Sequence, residues 1–545
     1  MATVLDVFRL GEHACWTITI LAALVLLLYR AYIFPTFISP LRNVPGPPRR
    51  DPLFGHALDG IGAPEACAPM HDWVKQYGPI VRYFGILGEE KLLLLSPQAL
   101  EQIFLTSCAD FARPTFLRRI ISLFAGCGLL TMSGNEHKRL RRALSPAYSI
   151  SNLSEQTGGY YAAIEDLVQI WNSELNTNTS GTIEVYPWMG KLTLQILCST
   201  AFGYHRDTLR DDALALAYAQ VTAIQSMRTM AGLVALVAIP GFTALARSEW
   251  GYRNRWVFRA LPGAWGREVE TLVDGMHHIR SITAEMLREK RTELAGAVSP
   301  IEKPARRGRD VLSLLLRFRC TKSDSGQLDG MSDDQALEHI LTFLSAGHDS
   351  VASGLSFTLW LLANDPTSQE RLREEILPAY KLSSRPDYRT LKSLTWLDCV
   401  VNESLRVLPP ILMTARVSVK ATCVDGVFVP EGTVITCPIH VINTSHAVWG
   451  EDAEKFRPGR WLEPLPESYN STYSHFSFIA GPHGCIGRTM ALNEMKAVLF
   501  VLIANYEFAP AYEGQILHTD AAITMKPTDG MPLRVTRVGA ADQFT

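Results

Sequence analysis

The residues best suited to chemistry lie near the C-terminus, where one cysteine stands among several glycines. The segment reads Phe478-Ile-Ala-Gly481-Pro-His483-Gly484-Cys485-Ile-Gly487-Arg488, and an apolar helix is predicted to follow it over residues 490–505. Glycines allow a tight turn close to a flat ligand, and amide N–H groups aimed at a sulfur favour thiolate over thiol. Cys485 could therefore bind iron. The alternative is a glycine-rich loop that holds a buried structural cysteine.

A long helix is predicted over residues 332–364. Ser332 and Gln335 form a capping box at its start, and Asp365-Pro366 provides the stop. At a rise of about 1.5 Å per residue the helix is about 50 Å long, so it would cross a whole domain.

The centre of this helix reads Ala346-Gly347-His348-Asp349-Ser350. A glycine inside a helix costs about 1 kcal/mol relative to alanine, so Gly347 is expected where something approaches the backbone. Ala346, Gly347 and Ser350 share one helix face, which offers a groove with a hydroxyl group. Small residues at a helix crossing would produce the same pattern.

The cysteine loop matches a known family at every fixed position of the pattern Phe-x-x-Gly-x-(Arg or His)-x-Cys-x-Gly. It resembles the loop of the cytochrome P450 family of haem-thiolate monooxygenases. The resemblance implies that Cys485 binds the iron of haem b, and that Phe478, Gly481, His483 and Gly487 contact the cofactor.

The centre of the long helix resembles the oxygen-binding segment of the same family. The resemblance implies that Ala346 and Gly347 lie against the cofactor, and that Asp349 and Ser350 relay protons to iron-bound oxygen. The usual alcohol at the last position is threonine. Ser350 is therefore a departure that keeps the hydroxyl but has a more mobile rotamer.

Glu-x-x-Arg is the third mark of the family, and it occurs five times in this chain. Glu403 and Arg406 lie in an apolar-striped helical segment, so this pair is expected to be buried. A buried ion pair needs further hydrogen bonds to offset desolvation, and the resemblance implies Arg460 as its structural third member. The other matches are expected to be exposed i,i+3 pairs: Glu136/Arg139, Glu285/Arg288, Glu370/Arg373 and Glu454/Arg457.

The two propionates of haem need cationic partners. His137 and Arg141 are i,i+4 neighbours on a predicted helix and resemble the family's Trp-x-x-x-Arg, with histidine in place of tryptophan. Arg416 and His483 occupy matching positions elsewhere. The neighbouring Arg139 and Arg142 are expected to form a solvated basic face that could also dock an acidic redox partner.

The N-terminus reads as a membrane anchor. Residues 14–29 carry no charge, and if Arg30 snorkels the apolar stretch reaches Phe34, or roughly 30 Å of helix. A cleaved signal peptide would carry its positive charge before the apolar run, whereas here only Arg9 precedes it and several arginines follow. The positive-inside rule then predicts a single-pass anchor of the endoplasmic reticulum membrane with a cytosolic catalytic domain.

Length and motif order predict three segments. The signal anchor is assigned to residues 1–34, a proline-rich hinge to 35–50, and the catalytic domain to 51–545. The catalytic domain is expected to have the mainly α cytochrome P450 fold with small β-sheets, including strands near 80–83, 92–95 and 427–435. A second uncharged run at 229–246 is broken by Pro240-Gly241, so a continuous spanning helix is not expected there.

Composition excludes several other classes. The 545 residues are 47% hydrophobic and 19% charged, with 52 Lys+Arg against 54 Asp+Glu, which excludes a disordered chain and gives no basic field for nucleic acid. Ten cysteines occur without a C-x-x-C pair, so zinc-finger and thioredoxin-like sites lack support.

The resemblance implies an enzyme that oxidises a hydrophobic small molecule with O2 and electrons from NADPH through a cytochrome P450 reductase. A terpenoid or polyketide biosynthetic intermediate is the substrate class expected for a chain of this fungal secondary-metabolism type. Apolar stretches at 111–130 and 214–246 are expected to build the pocket and its entrance. Two alternatives remain, a haem-thiolate enzyme that rearranges, dehydrates or desaturates its substrate, and a non-catalytic haem sensor.

Overall fold

The structure is a computed structural model that describes most of the chain. The described residues are 16–57, 59, 67–175, 180–210, 212–263, 265–296, 310–317, 331–521 and 523–538. Arg9 and the start of the predicted anchor lie outside them. Two compact units are present: the sheet unit, Met1–Pro114 with Met413–Val441, and the helical unit, Thr115–Leu412 with Ile442–Thr545.

Helices dominate the described residues, and the predicted fold class is confirmed. In chain order the α-helices are α1 (Trp16–Ile38), α2 (Ala68–Tyr77), α3 (Pro97–Glu101), α4 (Thr115–Ala125), α5 (Gly134–Leu144), α6 (Ile150–Gln156), α7 (Tyr160–Leu175), α8 (Val185–Ala201), α9 (Ala213–Ala223), α10 (Met227–Ala238), α11 (Phe242–Ala246), α12 (Glu249–Arg253), α13 (Trp265–Gly296), α14 (Val311–Arg317), α15 (Asp333–Asn364), α16 (Pro366–Leu382), α17 (Tyr388–Ser393), α18 (Thr395–Val407), α19 (Ile439–Asn443), α20 (His446–Trp449) and α21 (Arg488–Asn505).

The strands are short. They are β1 (Ile80–Phe84), β2 (Glu90–Leu94), β3 (Phe111–Ala112), β4 (Ser180–Glu184), β5 (Thr414–Ser418), β6 (Thr422–Val424), β7 (Val427–Val429), β8 (Val434–Cys437), β9 (Tyr506–Pro510), β10 (Thr519–Ala521), β11 (Met525–Pro527) and β12 (Pro532–Arg537).

The sheet unit is built on five strands in the order β1-β2-β8-β5-β3, and β6 and β7 form a separate hairpin. Strands β2 and β8 pair in parallel, and the other neighbours are antiparallel. The prediction of a single strand near 427–435 is wrong. A turn that includes Gly432 at φ 81° divides this segment into β7 and β8.

The helical unit contains an extensive apolar core. Helices α4, α8, α9, α10, α13 and α15 contribute most of its buried side chains. Strands β9 to β12 come near the end of the chain, where β10 and β11 form a hairpin and β9 and β12 form an antiparallel sheet with β4. The uncharged run at 229–246 is divided between α10 and α11, and α9 and α10 meet at a bend of 90°. The expected absence of a continuous helix over 229–246 is therefore confirmed.

Helix α15 forms as its capping signals predict. The Ser332 side chain accepts a hydrogen bond from the Gln335 N–H, and the Gln335 side chain accepts one from the Ser332 N–H. Asp365 ends α15 and also caps α16, where its carboxylate accepts from the Ser368 N–H at 3.1 Å. The resulting 32-residue helix carries the residues of the predicted groove through the helical unit.

Helix α1 is the N-terminal apolar helix. Its 23 described residues are long and apolar enough to cross a membrane, and its side chains are almost all exposed. From Tyr29 to Ile38 it continues as a π-helix that contains Pro35.

Candidate functional site

The cysteine loop is closed by its own backbone. The Cys485 N–H donates to the Phe478 carbonyl at 2.8 Å, and the Gly484 N–H donates to the Gly481 carbonyl at 3.0 Å. Gly481 has a φ of 71°, a left-handed conformation that favours glycine. The loop therefore presents Cys485 directly before the N-terminus of α21, as the glycine pattern predicts.

The sulfur of Cys485 lies in a positive environment. The backbone N–H groups of Gly487 and Arg488 donate to it, and the guanidinium groups of Arg141 and Arg488 face it. Burial raises the pKa of the Cys485 thiol, while these donors and charges act in the opposite direction. Cys485 is nevertheless an exposed residue, so it is not part of the close-packed core.

These residues fit a haem-thiolate cofactor. The Cys485 sulfur is available as a ligand on an exposed residue, and hydrogen-bond donors at a helix N-terminus stabilise its thiolate form. A bound metal ion deprotonates a coordinating thiol, so the raised pKa of the free thiol makes metal binding dependent on pH but does not prevent it. Cys485 is the residue that would bind the iron.

His137 and Arg141 lie on α5 next to the cysteine loop. The His137 ring stacks on the His483 ring with 4.1 Å between centroids, and His137 is buried. Arg141 is half-buried, and burial lowers its pKa while Cys485 raises it. The structure therefore brings three of the four predicted propionate partners to one place.

Arg416 is the fourth predicted partner, and it lies in β5 of the sheet unit. It is buried there, where its guanidinium donates to the Thr414 hydroxyl at 3.1 Å and to the Ala415 carbonyl at 2.8 Å. The guanidinium also lies 4.7 Å from the centre of the Phe104 ring. Its role towards a cofactor stays a prediction.

The predicted groove on α15 divides between two faces. Ala346 is exposed, and the Ser350 hydroxyl donates to the Ala346 carbonyl at 2.7 Å. Gly347 instead faces α8, since a Cβ there would lie 2.8 Å from Leu197 Cδ2. Gly347 therefore accommodates the crossing of α15 and α8. Small residues at a helix crossing were the alternative explanation of this sequence pattern.

Gly347→Ala is expected to lower the free energy of unfolding by about 1 kcal/mol, because overpacking against Leu197 outweighs the gain in helix propensity. In a Leu197→Ala background the same change should be neutral or stabilising. Chemical denaturation of the four proteins measures this coupling. Gly190→Ala is a matched control on α8 with no atom within 4 Å of the added Cβ, and it should stabilise. Equal losses in both backgrounds would contradict the packing role.

Asp349 faces away from Ser350, since successive helix residues point about 100° apart. Its carboxylate accepts hydrogen bonds from the Tyr186 hydroxyl at 3.1 Å and from the Thr524 hydroxyl. Lys526 lies close by and donates to the Thr222 carbonyl, and burial lowers the pKa of Lys526 to about 8 although Asp349 opposes this shift. The sequence did not predict these neighbours. Tyr186 and Thr524 lie 163 and 175 positions from Asp349 in the chain, and no local sequence pattern links them to it.

Glu403 is the centre of a buried charge cluster. It accepts from Arg406 at 2.8 and 2.9 Å, from Arg460 at 2.8 Å and from the Trp461 indole at 3.0 Å. Arg406 also donates to the Asn443, Ala453 and Lys455 carbonyls. The side chains of Glu403 and Arg406 are fully buried. The structure brings the three predicted residues together, and their ion pairs and hydrogen bonds offset the cost of burying the charges.

Two of the other Glu-x-x-Arg matches were assigned wrongly as exposed pairs. Arg373 is buried, and its guanidinium donates to the Ile503 and Tyr506 carbonyls as well as to Glu370. Arg457 pairs with Asp452 and Glu463 instead of with Glu454. Spacing identified the residues but could not indicate which carbonyls or carboxylates the fold brings near them.

His475 lies between the Glu403 cluster and the cysteine loop. Burial, together with the charges of Arg488 and Arg406, lowers its pKa to about 3. Between pH 6.5 and 3 the unfolded chain binds a proton at this histidine that the folded chain does not, so stability falls as the pH decreases through this window.

His475→Phe is expected to reduce the loss of stability between pH 7 and 5, by at most about 1.4 kcal/mol per pH unit. Urea denaturation of both proteins at each pH measures the difference. His278→Phe, at a half-exposed histidine on α13, is the control. An unchanged pH dependence in His475→Phe would contradict the low pKa.

The sequence was compared with known protein families and with individual proteins, and the results agree with the geometry of the cysteine loop. The cytochrome P450 family matches residues 45–533. Cytochrome P450 monooxygenase sphH of Aspergillus fumigatus is 28% identical over 94% of this chain and 91% of its own length. Cytochrome P450 monooxygenase 205 of Postia placenta is 29% identical over 93% of each chain. The match extends over almost the whole sequence and includes the cysteine loop, so this chain belongs to the cytochrome P450 family of monooxygenases, an oxidoreductase class.

Proposed function

We propose that the chain is a haem b monooxygenase that oxidises a hydrophobic small molecule with O2 and electrons from NADPH. The observation that carries this proposal is the sulfur of the exposed residue Cys485, which accepts two backbone N–H groups and lies near Arg141. Haem bound through Cys485 supplies the oxygen activation and the electron transfer that no side chain can provide.

Four side chains would hold the cofactor's acidic groups. His137, Arg141 and His483 are gathered at the cysteine loop, and Arg416 is the fourth candidate. Phe478 closes the loop through its carbonyl, Gly481 supplies the left-handed turn, and Gly487 keeps the backbone near the sulfur free of a side chain. Ala346 presents a small exposed side chain on α15, next to the residues that handle protons.

Proton delivery is assigned to Asp349 and Ser350. The Asp349 carboxylate can receive a proton on the side of Tyr186 and Thr524, while the Ser350 hydroxyl is held by the Ala346 carbonyl. Because the two side chains point in different directions, a water molecule or a rotation of Asp349 must connect them.

Asp349→Asn is expected to lower product formation about a hundredfold, because an amide cannot carry the proton that a positioned acid transfers. Loss of the proton source should also change the solvent isotope effect on turnover. Thr524→Val, which removes one donor to the carboxylate, should have a smaller effect of the same sign. Unchanged turnover and an unchanged isotope effect in Asp349→Asn would contradict this role.

A hydrophobic substrate is supported by the apolar surroundings of the cysteine loop. Parts of both stretches predicted to build the pocket, including Phe124 and Val237, belong to one apolar cluster. Ile486, the neighbour of Cys485, packs against the same cluster, and so does Tyr148. We propose a terpenoid or polyketide intermediate as the substrate class.

An NADPH-cytochrome P450 reductase is the proposed electron donor. Helix α5 supports this partner because its two faces differ. His137 and Arg141 face the cysteine loop, whereas Lys138, Arg139 and Arg142 are exposed. An exposed basic face suits an acidic redox protein.

Anchorage in the endoplasmic reticulum membrane through α1, with the rest of the chain in the cytosol, completes the proposal. Between Arg30 and Arg50 the sequence has four arginines and no acidic residue, which favours a cytosolic position for this segment. The division into an anchor (1–34), a proline-rich segment (35–50) and a catalytic domain (51–545) is part of the same proposal.

Reconstitution with a reductase tests the function. The full chain in microsomes, supplied with NADPH and a library of terpenoids and polyketides, should give oxygenated products that contain one atom from labelled O2. Products formed without NADPH and O2 would indicate a rearranging or dehydrating enzyme. Haem binding without NADPH consumption across the library would favour a sensor.

A further inference from the structure

A buried lysine joins the hairpin β10-β11 to the end of α9. Lys526 lies in β11 and is only 7% exposed, and its ammonium group donates to the Thr222 carbonyl in α9. The N–H of the preceding residue, Met525, donates to the Pro410 carbonyl at 2.7 Å. The hairpin is therefore fixed on two sides within the helical unit, and the ammonium group is held in one place.

The Lys526 ammonium group has hydrogen-bonding capacity that the protein does not use. It carries three N–H donors, and one of them is bound to Thr222. In the part of the chain that the structure describes, no carboxylate lies within 4.0 Å of its nitrogen. Burial lowers the pKa of Lys526 to about 8, while the more distant Asp349 and Asp520 oppose this shift, so the group is mostly charged at pH 7.

A second polar side chain with an unmet hydrogen bond lies beside the lysine. Gln225 is at the bend between α9 and α10, and its backbone N–H donates to the same Thr222 carbonyl at 3.1 Å. The residue is 7% exposed, and its side-chain oxygen has no hydrogen-bond partner among the described residues. A buried polar group without a partner is costly, so a ligand that supplies the partner gains affinity.

These two polar groups are set in an apolar part of the helical unit. Val221 and Met230, which flank Gln225 in the chain, both belong to the apolar cluster that Ile486 of the cysteine loop also contacts. Lys526 is close enough to the centre of α15 for Asp349 to affect its pKa. A few convergent polar groups in apolar surroundings are typical of sites that orient a hydrophobic small molecule.

The charges around Lys526 favour a neutral ligand. Its single positive charge already interacts with Asp349 and Asp520, so a ligand carboxylate would bring a third negative group to one ammonium. A hydroxyl group avoids this repulsion. It can accept a hydrogen bond from the ammonium group and donate one to the Gln225 oxygen, which satisfies both side chains at once.

We propose that Lys526 and Gln225 bind a hydroxyl group of the substrate, so that the enzyme acts on a hydrophobic alcohol rather than on a hydrocarbon or a carboxylic acid. This inference rests on the proposed function and narrows its substrate class. The hydroxyl group is held on the α9 side of α15, and the rest of the molecule lies against the apolar cluster. A water molecule at the same place is the competing occupant.

Equilibrium binding to the haem-loaded full chain tests the proposal. The probes are terpenoid alcohols (geraniol, farnesol and geranylgeraniol) and linear alcohols (dodecanol and hexadecanol). Each is compared with the hydrocarbon that lacks the hydroxyl group and with the acid that has a carboxyl group in its place. Dissociation constants are measured from the change in haem absorbance. For at least one probe the unsubstituted protein should bind the alcohol about tenfold more tightly than the other two compounds.

Substitution of the two polar residues should remove this preference. In Lys526→Met and in Gln225→Leu the alcohol and the hydrocarbon are expected to bind equally, and the affinity for the hydrocarbon should be retained. Lys496→Met is the matched control. Lys496 is also 7% exposed, but it already pairs with Asp398 at 2.5 Å, so its replacement should leave the preference for the alcohol unchanged.

The other results would overturn the proposal. Unsubstituted protein that binds no alcohol more tightly than its hydrocarbon would assign the polar groups to water, and tighter binding of the acid would assign them to a carboxylate. A preference that persists in both variants would place the hydroxyl group elsewhere. If Lys526→Met does not fold, Gln225→Leu decides, because its side chain does not fix the hairpin. Failure of the unsubstituted chain to bind haem would instead contradict the proposed function.

Discussion

Cys485→Ser is expected to abolish both the thiolate-type spectrum and turnover. A serine hydroxyl has the same position but does not ionise to a thiolate, so the N–H groups of Gly487 and Arg488 would no longer have a soft anionic ligand to stabilise. Haem content, the carbon monoxide difference spectrum and NADPH-dependent product formation are measured on the same preparation.

Cys423→Ser is the matched control for this substitution. Cys423 is also exposed, and it lies on the hairpin strand β6. Its replacement should leave the spectrum and turnover unchanged. Retention of the thiolate-type spectrum in Cys485→Ser would show that another residue binds the iron.

Glu403→Gln is expected to remove about 3–5 kcal/mol from the free energy of unfolding. The substitution leaves the buried Arg406 without a counter-ion and Arg460 with Asp452 alone, at 3.3 Å, although the bonds of both arginines to backbone carbonyls remain. Since a folded domain is stabilised by only about 5–15 kcal/mol, little of the protein should fold at physiological temperature. Expression yield and urea denaturation at low temperature measure the loss.

Glu370→Gln provides the comparison, because it changes the first residue of another Glu-x-x-Arg pair. The Glu370 side chain is 59% exposed, and Arg373 keeps its carbonyl partners, so the expected change is within about 1 kcal/mol. Similar losses for the two variants would contradict the account of Glu403 as the neutralising centre of a buried cluster.

The residues that could be predicted from sequence are those fixed by local chemistry. The cysteine loop, the capping box at Ser332 and the apolar stripe around Glu403 each depend on neighbours within a few positions. The long helix and the fold class followed from these signals, and both are confirmed.

The contacts that sequence could not predict join distant parts of the chain. The neighbours of Asp349 come from α8 and from beyond β10, and the room beside Gly347 is filled by Leu197. Burial of Arg373 likewise depends on carbonyls more than a hundred residues away. Such contacts depend on tertiary packing, which periodicity and spacing do not encode.

The packing of the proline-rich segment is another feature that the sequence did not predict. Its prolines predict a stiff spacer, and its backbone is indeed extended in part, but Ser39 and Leu41 are buried within the sheet unit. The glycine that accommodates α1, Gly88, lies more than fifty residues from Ala31. Nothing in the segment's own composition indicated this contact.

The carbon monoxide difference spectrum of the reduced full chain in microsomes tests the central claim most directly. Ligation by the Cys485 thiolate predicts the strongly red-shifted Soret band of a haem-thiolate protein. A band typical of histidine or neutral-thiol ligation in freshly prepared, folded protein would contradict the assignment of Cys485 as the iron ligand.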